Sequence, residues 1–378
     1  MLEPSTLDDL RAQMKERMEN DVELLDELRD EITELKAGVK KINPRSSTTI
    51  SIVGTDGGNN NLQFDPFVVH IIRVVDSNGV EYFMDVITPT TPIDDLNNKI
   101  KRGNNNGYDA LKQMMEYLNV DSLDKLSPMI KKRDRGDPVK TSWVQVYREL
   151  VEWATLFSLV RTGTYKSDVL IVFDGLLRSK VFKGDLFNKL KNGIEISIQE
   201  RAEISRCNIY IVGVAKHSKV IDRYRLIMHI DGIMKTKYPC YARVPRLLEE
   251  KSYLWSEYAR DDGNTGEINK FVAGKMFFVK FGDKKNDPIW PIDILSSQEP
   301  DAEKIIAYLM NDAIEGFPIP WYPLCLQKAH ENSSLVDFDM EIIQSEMLNA
   351  IRESLNDKSE ELDSFMLLDS DVASRRYG

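Results

Sequence analysis

The chain has 378 residues, of which 42% are hydrophobic and 29% are charged, and its formal net charge is −11. This is the composition of an ordinary globular protein. No apolar run approaches the ~20 residues that a membrane-spanning helix needs. The three cysteines are far apart and lack CxxC spacing, which argues against a zinc site and a disulfide framework. We therefore expect a cytoplasmic protein that has no membrane partner.

Residues 5–41 predict one long amphipathic helix, because apolar residues recur from Leu7 to Leu35 at steps of three and four. Pro44 closes the segment. Such a stripe needs an apolar surface, which either the same chain or another protein can provide. We assign residues 1–44 to an N-terminal helix that makes a dimer or partner contact.

Two apolar, β-branched runs, 49–56 and 168–174, each stop at an Asp-Gly pair. Runs of this kind predict buried strands, and the glycine is expected to end each strand. The sequence therefore places Asp56 and Asp174 at the ends of two core strands, where sheets commonly carry their chemistry.

The other elements follow in chain order. Strands are predicted at 67–75, 80–87, 207–214, 275–281 and 288–294. Helices are predicted at 108–119, 121–133, 143–160, 185–205, 219–260, 301–315, 326–336 and 341–355. Three antiparallel strands followed by helix, strand, helix and strand is the order of a ribonuclease-H-like sheet. We predict an α/β fold with a mixed sheet flanked by helices, a domain over 45–335 with a polar insertion at about 88–140, and a C-terminal helix and acidic tail over 336–378.

In that order of strands, Asp56 and Asp174 belong to neighbouring strands and should converge. Converging carboxylates repel one another unless a cation lies between them, and oxygen ligands suit Mg²⁺ or Mn²⁺. A third carboxylate is expected from the helix before the second strand. Glu149 is the first choice and Glu152 is close behind.

Basic residues near the same edge of the sheet are candidates for binding phosphate. They are Arg178, Lys180, Lys216, His217 and Lys219. His330 is a candidate fourth metal ligand or proton donor. Sequence motifs for ATP, dinucleotide, serine-hydrolase and zinc-protease sites (GxxxxGK[ST], GxGxxG, GxSxG, HExxH) are absent from the sequence.

The chain resembles the NurA nucleases. The resemblance rests on short motifs in the expected order, which span about 48 to 335. They are Thr55-Asp-Gly-Gly58, Phe173-Asp-Gly-Leu-Leu-Arg178, Gly213-Val-Ala-Lys-His-Ser-Lys219, and Trp321-Tyr-Pro-Leu324 with Ala329-His330. The chain departs from the family pattern at Gly58, where the family commonly has Ser.

The resemblance implies a Mn²⁺- or Mg²⁺-dependent DNA nuclease with 5′–3′ exonuclease and endonuclease activity. It implies Asp56, Asp174, Glu149 (or Glu152) and His330 as metal ligands, with Lys216 and Tyr322 near the phosphate. It further implies a homodimer that works with a HerA-type hexameric ATPase in DNA-end processing or phage defence. Two alternatives stay open: a non-catalytic adaptor that docks an ATPase, and a Piwi-like domain that binds a guide strand.

Overall fold

The computed structural model describes residues 4–45, 50–64, 67–103, 107–134, 140–253 and 270–355. The strands are β1 Lys40–Lys41, β2 Ile50–Phe64, β3 Phe67–Asp76, β4 Glu81–Ile87, β5 Asp168–Asp174, β6 Ile209–Val214, β7 Cys240–Arg243, β8 Gly274–Lys280 and β9 Trp290–Leu295. The helices are α1 Pro4–Asn20, α2 Val22–Glu31, α3 Thr33–Ala37, α4 Ile93–Arg102, α5 Tyr108–Tyr117, α6 Leu123–Leu126, α7 Ser142–Thr162, α8 Leu186–Ser205, α9 Lys219–Ile230, α10 Arg246–Ser252, α11 Ala302–Ile314, α12 Leu324–Ser333 and α13 Asp337–Leu355. Among the described helices, none is both long and apolar enough to cross a membrane.

The strands form one nine-stranded mixed sheet in the order β1-β7-β8-β9-β6-β5-β2-β3-β4. Strands β2, β3 and β4 are an antiparallel meander, and β5 and β6 lie parallel to β2. The segment β4-β3-β2-β5-β6, with α7 leading into β5, has the ribonuclease-H-like order. Antiparallel β9, β8, β7 and β1 extend the sheet beyond β6.

Side chains of β5 alternate between the two faces of the sheet, as the period of two in a strand requires. Val169, Ile171 and Phe173 pack in the core beneath α4 to α8. Leu170 and Val172 pack in a second core beneath α11 and α12. A third core joins α2, α3, α9 and α10 to β7 and β8. These layers cover both faces of the central strands, which explains their continuous apolar composition.

The N-terminal segment is three successive helices rather than the predicted single one, with turns at Asp21 and Ile32. Leu28, Ile32 and Leu35 are buried in the third core, so α2 and α3 pack on their own chain. In α1, however, Met14 and Met18 are 55% and 60% exposed. Among the described residues, the exposed part of the apolar stripe therefore covers α1 and the start of α2, where Leu24 is 48% exposed.

The sequence predicts that strand β2 ends at Asp56, but in the structure the strand continues to Phe64. It pairs with β5 only as far as Thr55, whereas it pairs with β3 along the whole of 55–64. The loss of the β5 partner, rather than the end of β2, therefore creates the sheet edge at Asp56. Gly57 allows a close approach here and does not end the strand.

Two further predictions needed correction. The helix expected at 121–133 is a single turn, α6, and α4 in the insertion was not predicted. The helical segment expected at 219–260 contains the strand β7, which is four residues long and carries no clear alternation. The predicted acidic tail from 356 lies outside the described residues.

Candidate metal and phosphate site

Two aspartates lie side by side where β5 ends. The last paired residues of β2 and β5 are Thr55 and Phe173, so Asp56 and Asp174 are the next residues along two adjacent parallel strands. Both have the strand parity of Leu170 and Val172, and therefore point to the α12 face of the sheet. Asp174 is the last residue of β5, so no further residue of that strand covers the end of the sheet beside Asp56.

Helix α12 brings a histidine and a serine to the first aspartate. His330 Nδ1 lies 2.9 Å from Asp56 Oδ2, and Ser333 Oγ donates to the same oxygen at 3.0 Å. When Asp56 accepts this hydrogen bond, Nδ1 carries the proton of the contact, and the neutral tautomer that fits it has its lone pair on Nε2. The His330 side chain is 61% exposed, so this second nitrogen belongs to a ring that solvent or a ligand can reach.

Gly58 allows α12 to lie this close to β2. A Cβ at position 58 would lie 2.5 Å from the carbonyl oxygen of Ser333, so any larger residue would push the end of the helix away. The family resemblance suggests a serine at position 58. In this structure a hydroxyl reaches Asp56 from Ser333 instead.

The second aspartate is held by a buried tyrosine. Tyr322 OH donates to Asp174 Oδ1 at 3.0 Å, and Tyr322 itself is 1% exposed. Burial and the neighbouring Asp56 carboxylate raise the pKa of Asp174, while Lys216, the Tyr322 hydrogen bond and His330 partly offset the rise. Negative charge at this edge is therefore only partly compensated by the protein.

Glu152 approaches the same place from α7, on the opposite face of the sheet. Its Oε1 lies 2.0 Å from where a Cβ of Gly57 would be, so the carboxylate occupies the space of an absent side chain next to Asp56. Burial is the largest cause that raises the pKa of Glu152 to about 8; Asp56, Glu149 and Asp174 add to the rise, and Arg148 opposes it. Arg148 Nε is 3.2 Å from Glu152 Oε1.

Glu149, the first choice from sequence, lies one turn earlier in α7 and has another partner. Ser179 Oγ donates to Glu149 Oε1 at 2.5 Å. Burial raises the pKa of this carboxylate too, and Ser179, Arg148 and Lys180 oppose the rise. The pKa of Glu152, but not that of Glu149, is shifted by the charges of both aspartates. We therefore favour Glu152 as the third carboxylate of the site.

The predicted phosphate-binding residues do not all meet at the aspartates. Lys216 does, since its Nζ lies 5.4 Å from the centre of the Tyr322 ring. His217 is 76% exposed, with Nδ1 at 3.9 Å from Asp222, and Lys219 begins α9 on the surface. Lys180 is exposed and contributes its charge to Glu149. These last three surround the site rather than contact it.

Arg178 has a different role from the one predicted. Its side chain is 1% exposed, and it donates through Nε and Nη2 to the two oxygens of Asp293, at 2.8 and 3.0 Å. Nη1 donates to Glu249 Oε2 at 2.6 Å. A guanidinium buried among two carboxylates is not presented to a phosphate. The motif that contains Arg178 therefore contributes a structural ion cluster.

The donor set suits a hard divalent cation, with carboxylate oxygens from Asp56, Asp174 and Glu152 and an imidazole nitrogen from His330. Within the described ranges, however, no three His, Cys, Asp or Glu side chains lie in an arrangement ready to share one ion. Instead, one oxygen of each carboxylate has a protein partner: Ser333 and His330 at Asp56, Tyr322 at Asp174, and Arg148 at Glu152. The chemistry of these residues suits such an ion. To bind it, Glu152 would have to give up its ion pair with Arg148.

Sequence reasoning missed Ser333 and Arg148, although helical spacing offered a clue to both. Ser333 lies three residues after His330, and Arg148 lies four before Glu152, so each shares a helix face with a predicted residue. Asp293 and Glu249 carried no such clue. They are 115 and 71 residues from Arg178, and only the folded sheet brings the three together.

No family model matches the sequence, and no curated protein matches it. Among solved structures, the chain is similar to the NurA nuclease from Sulfolobus solfataricus, with 14% identity, 93% of this chain and 98% of that chain covered, and a TM-score of 0.43. A NurA bound to dAMP and manganese is similar at 12% identity, with 89% and 94% covered and a TM-score of 0.34. An A. aeolicus Argonaute shows 9% identity over 78% of this chain and 29% of that chain, with a TM-score of 0.25. At such distances, the roles of the residues rest on the geometry described above.

Proposed function

We propose that the chain is a divalent-metal-dependent DNA nuclease that hydrolyses phosphodiester bonds at the edge formed by β2 and β5. One observation carries the proposal. Asp56 and Asp174 occupy adjacent positions of parallel strands, and with Glu152 they form a partly buried acidic site whose charge the protein compensates only in part. Such uncompensated carboxylates are typical of functional sites.

A bound divalent cation would supply an activated water and stabilise the leaving oxygen of the displacement. Asp56, Asp174 and Glu152 would hold it. The chain's own groups do the rest. Asp56 fixes the His330 ring so that Nε2 can accept or return a proton, Tyr322 fixes the rotamer of Asp174, and Lys216 presents a cation to the phosphate.

The direct test measures cleavage of labelled single- and double-stranded DNA with Mn²⁺ by the wild type, Asp56→Asn and Asp174→Asn. Mn²⁺ is the probe because carboxylate and imidazole ligands suit it. We expect cleavage by the wild type, none in EDTA, and loss in both variants. Equal cleavage by all three proteins, or none by any, would leave the non-catalytic adaptor as the better description. Labelling each DNA end in turn tests the 5′–3′ exonuclease and endonuclease activities that the resemblance implies.

The partners implied by the resemblance belong to this proposal as well. Exposed Met14 and Met18 of α1 offer an apolar surface to a second copy of the chain or to a HerA-type hexameric ATPase. Sedimentation of the wild type and of Met14→Glu/Met18→Glu, alone and with the ATPase, tests both contacts. A charged double variant that assembles like the wild type would exclude α1 from either contact. Roles in DNA-end processing or phage defence follow only if the ATPase binds.

A further inference from the structure

A cavity of about 510 Å³ lies beside β9 and is lined in part by Lys216, the lysine that lies near Asp174. Its walls come from α9, from the turn that follows α9, and from the loop that precedes β9. Its volume is in the range of sites that hold drug-sized ligands. The nuclease mechanism above uses one of its lining residues, Lys216, so the rest of this cavity has no assigned role.

The walls of the cavity are held in place by a buried lysine. Lys280 is fully buried, and its Nζ donates to the carbonyl oxygens of Thr236 and Lys284 at 2.6 and 2.9 Å. These two carbonyls belong to the turn after α9 and to the loop before β9. Asp287 Oδ2 also accepts the N–H of Lys284 at 2.7 Å. The two rims are therefore tied together rather than left as separate surface loops.

The lining is strongly basic. Lys216, Arg225, Lys235 and Lys285 line the cavity, and among the described residues Asp287 is the single lining carboxylate. That carboxylate already accepts a backbone N–H. Arg225 Nη2 has Asp222 Oδ1 at 4.0 Å, and both side chains are about half exposed, so solvent screens this pair. An excess of cations in a concave site attracts anions such as phosphate groups.

The floor of the cavity is apolar and aromatic. Ile233 and Met234 are 3% and 2% exposed, and the Trp290 ring forms part of the wall. The buried indole N–H of Trp290 has no acceptor in the described part of the chain, and such an unmade hydrogen bond is costly. Basic side chains beside an aromatic ring are the combination that holds a base with its phosphates.

Two lining residues of the cavity, Trp290 and Lys216, contact the tyrosine that holds Asp174. The Tyr322 and Trp290 rings meet edge to face with centres 5.0 Å apart, and Lys216 lies against the same Tyr322 ring. Tyr322 in turn donates to Asp174. A strand whose phosphate lies at Asp174 and Lys216 would thus have its next unit at the cavity mouth.

We infer that this cavity binds the unpaired DNA strand next to the scissile phosphate, with phosphate on Arg225 and Lys285 and a base on the Trp290 side. The choice of ligand rests on the proposed nuclease function. A base that enters the cavity has left its complementary base, so the substrate in this inference is single-stranded DNA or a duplex end that has been opened.

The test measures binding without turnover. Fluorescence anisotropy follows a labelled oligothymidylate of ~12 nucleotides, a length that single-strand sites accommodate, in EDTA and over a series of NaCl concentrations. The proteins are the full-length wild type, Arg225→Ala, Lys285→Ala and the charge-matched control Lys189→Ala. Lys189 lies on α8, is 56% exposed, and pairs with Asp185 away from the cavity.

We expect each cavity variant to weaken binding about tenfold and to lower the salt slope by about 1, as the loss of one phosphate contact does. The control should match the wild type. Cavity variants that bind like Lys189→Ala would overturn the inference. It would also fail if thymidine 5′-monophosphate competed as well as the strand at equal nucleotide concentration, because the cavity would then be a site for free nucleotides. If the wild type never cleaves DNA but the binding pattern holds, the proposed function fails and the cavity assignment stands.

Discussion

Two buried acidic clusters lie on this sheet, and they differ in how their charge is balanced. Around Arg178, the carboxylates of Asp293 and Glu249 are fully buried, and the guanidinium between them neutralises much of their charge. At the edge of β2 and β5, Asp56, Asp174 and Glu152 share only partial compensation. The Arg178 cluster contains its own cation and needs no bound ion. The cluster of Asp56, Asp174 and Glu152 is only partly neutralised, and it is therefore suited to bind a cation from solution.

The largest expected effect is a loss of stability when the guanidinium of Arg178, the cation of the first cluster, is removed. Arg178→Met leaves Asp293 and Glu249 buried without their partner, and it should lower the free energy of unfolding by about 3–5 kcal/mol. Urea denaturation measures the loss. Arg29→Met, which removes a half-exposed pair with Asp231, is the control and should cost below ~1 kcal/mol. Equal losses in the two variants would remove the distinction between a buried and a surface cluster.

At the edge site, removing a charge should instead damage activity and spare the fold. Asp174→Asn keeps the shape of the side chain and the Tyr322 contact, yet lowers the repulsion with Asp56. We expect DNA cleavage with Mn²⁺ to fall by ~10³-fold, which corresponds to about 4 kcal/mol of transition-state stabilisation. Melting in EDTA should be unchanged or raised. A variant that unfolds while the residual folded fraction cleaves normally would make Asp174 a structural residue, like Arg178.

A divalent cation added to the solution should stabilise the protein by binding at Asp56, Asp174 and Glu152. It should have no effect on the Arg178 cluster. Mn²⁺ at about 100 times its dissociation constant should raise the free energy of unfolding by ~2.7 kcal/mol. Thermal melts of the wild type and Asp174→Asn, each with and without Mn²⁺, measure the effect. The gain should disappear in the variant. An equal gain in both proteins would place the ion elsewhere on this acidic chain.

The pH dependence of stability should separate Glu152 from Glu149. Glu152 has a folded-state pKa of about 8, far above the value near 4.3 of an unfolded chain. Its protonated form therefore stabilises the metal-free protein below about pH 4.3, and that stability is lost as pH rises through 8. Glu152→Gln cannot ionise, so between pH 5 and 8 it should gain about 3–4 kcal/mol relative to the wild type.

Urea titrations in EDTA at several pH values measure this difference. Glu149→Gln serves as the matched control on the same helix, and it should show a smaller change because Ser179 and Lys180 favour the ionised form of Glu149. A larger pH-dependent gain for Glu149→Gln would restore Glu149 as the third carboxylate of the site.

Sequence patterns predicted the central strands because their two-sided burial leaves continuous β-branched runs, as in β5 and β6. They predicted the neighbourhood of Asp56 and Asp174 because the order of elements constrains which strands pair. They did not predict how far β2 extends, because a glycine that ends a strand and a glycine that lets another side chain approach closely look alike in a sequence. Gly57 is of the second kind, and only Glu152 from α7 shows it.

The roles of charged residues were harder to predict than the positions of strands. Arg178 follows Asp174 closely in sequence, which suggested a shared site, but its partners are distant in sequence and lie in β9 and α10. Lys216 and His217 are adjacent, yet Lys216 lies on Tyr322 while His217 points to solvent near Asp222. Sequence proximity does not specify which side chain finds a buried partner.

The hydrogen bond between Asp56 and His330 joins residues 274 positions apart. During synthesis on the ribosome, β2 emerges long before α12, so the nascent chain displays its carboxylates for many seconds without the imidazole and serine that orient them. A product truncated before α12 would keep all nine strands of the sheet but lack these two groups. Under the proposed nuclease function, cleavage would therefore begin only when translation of the chain is nearly finished.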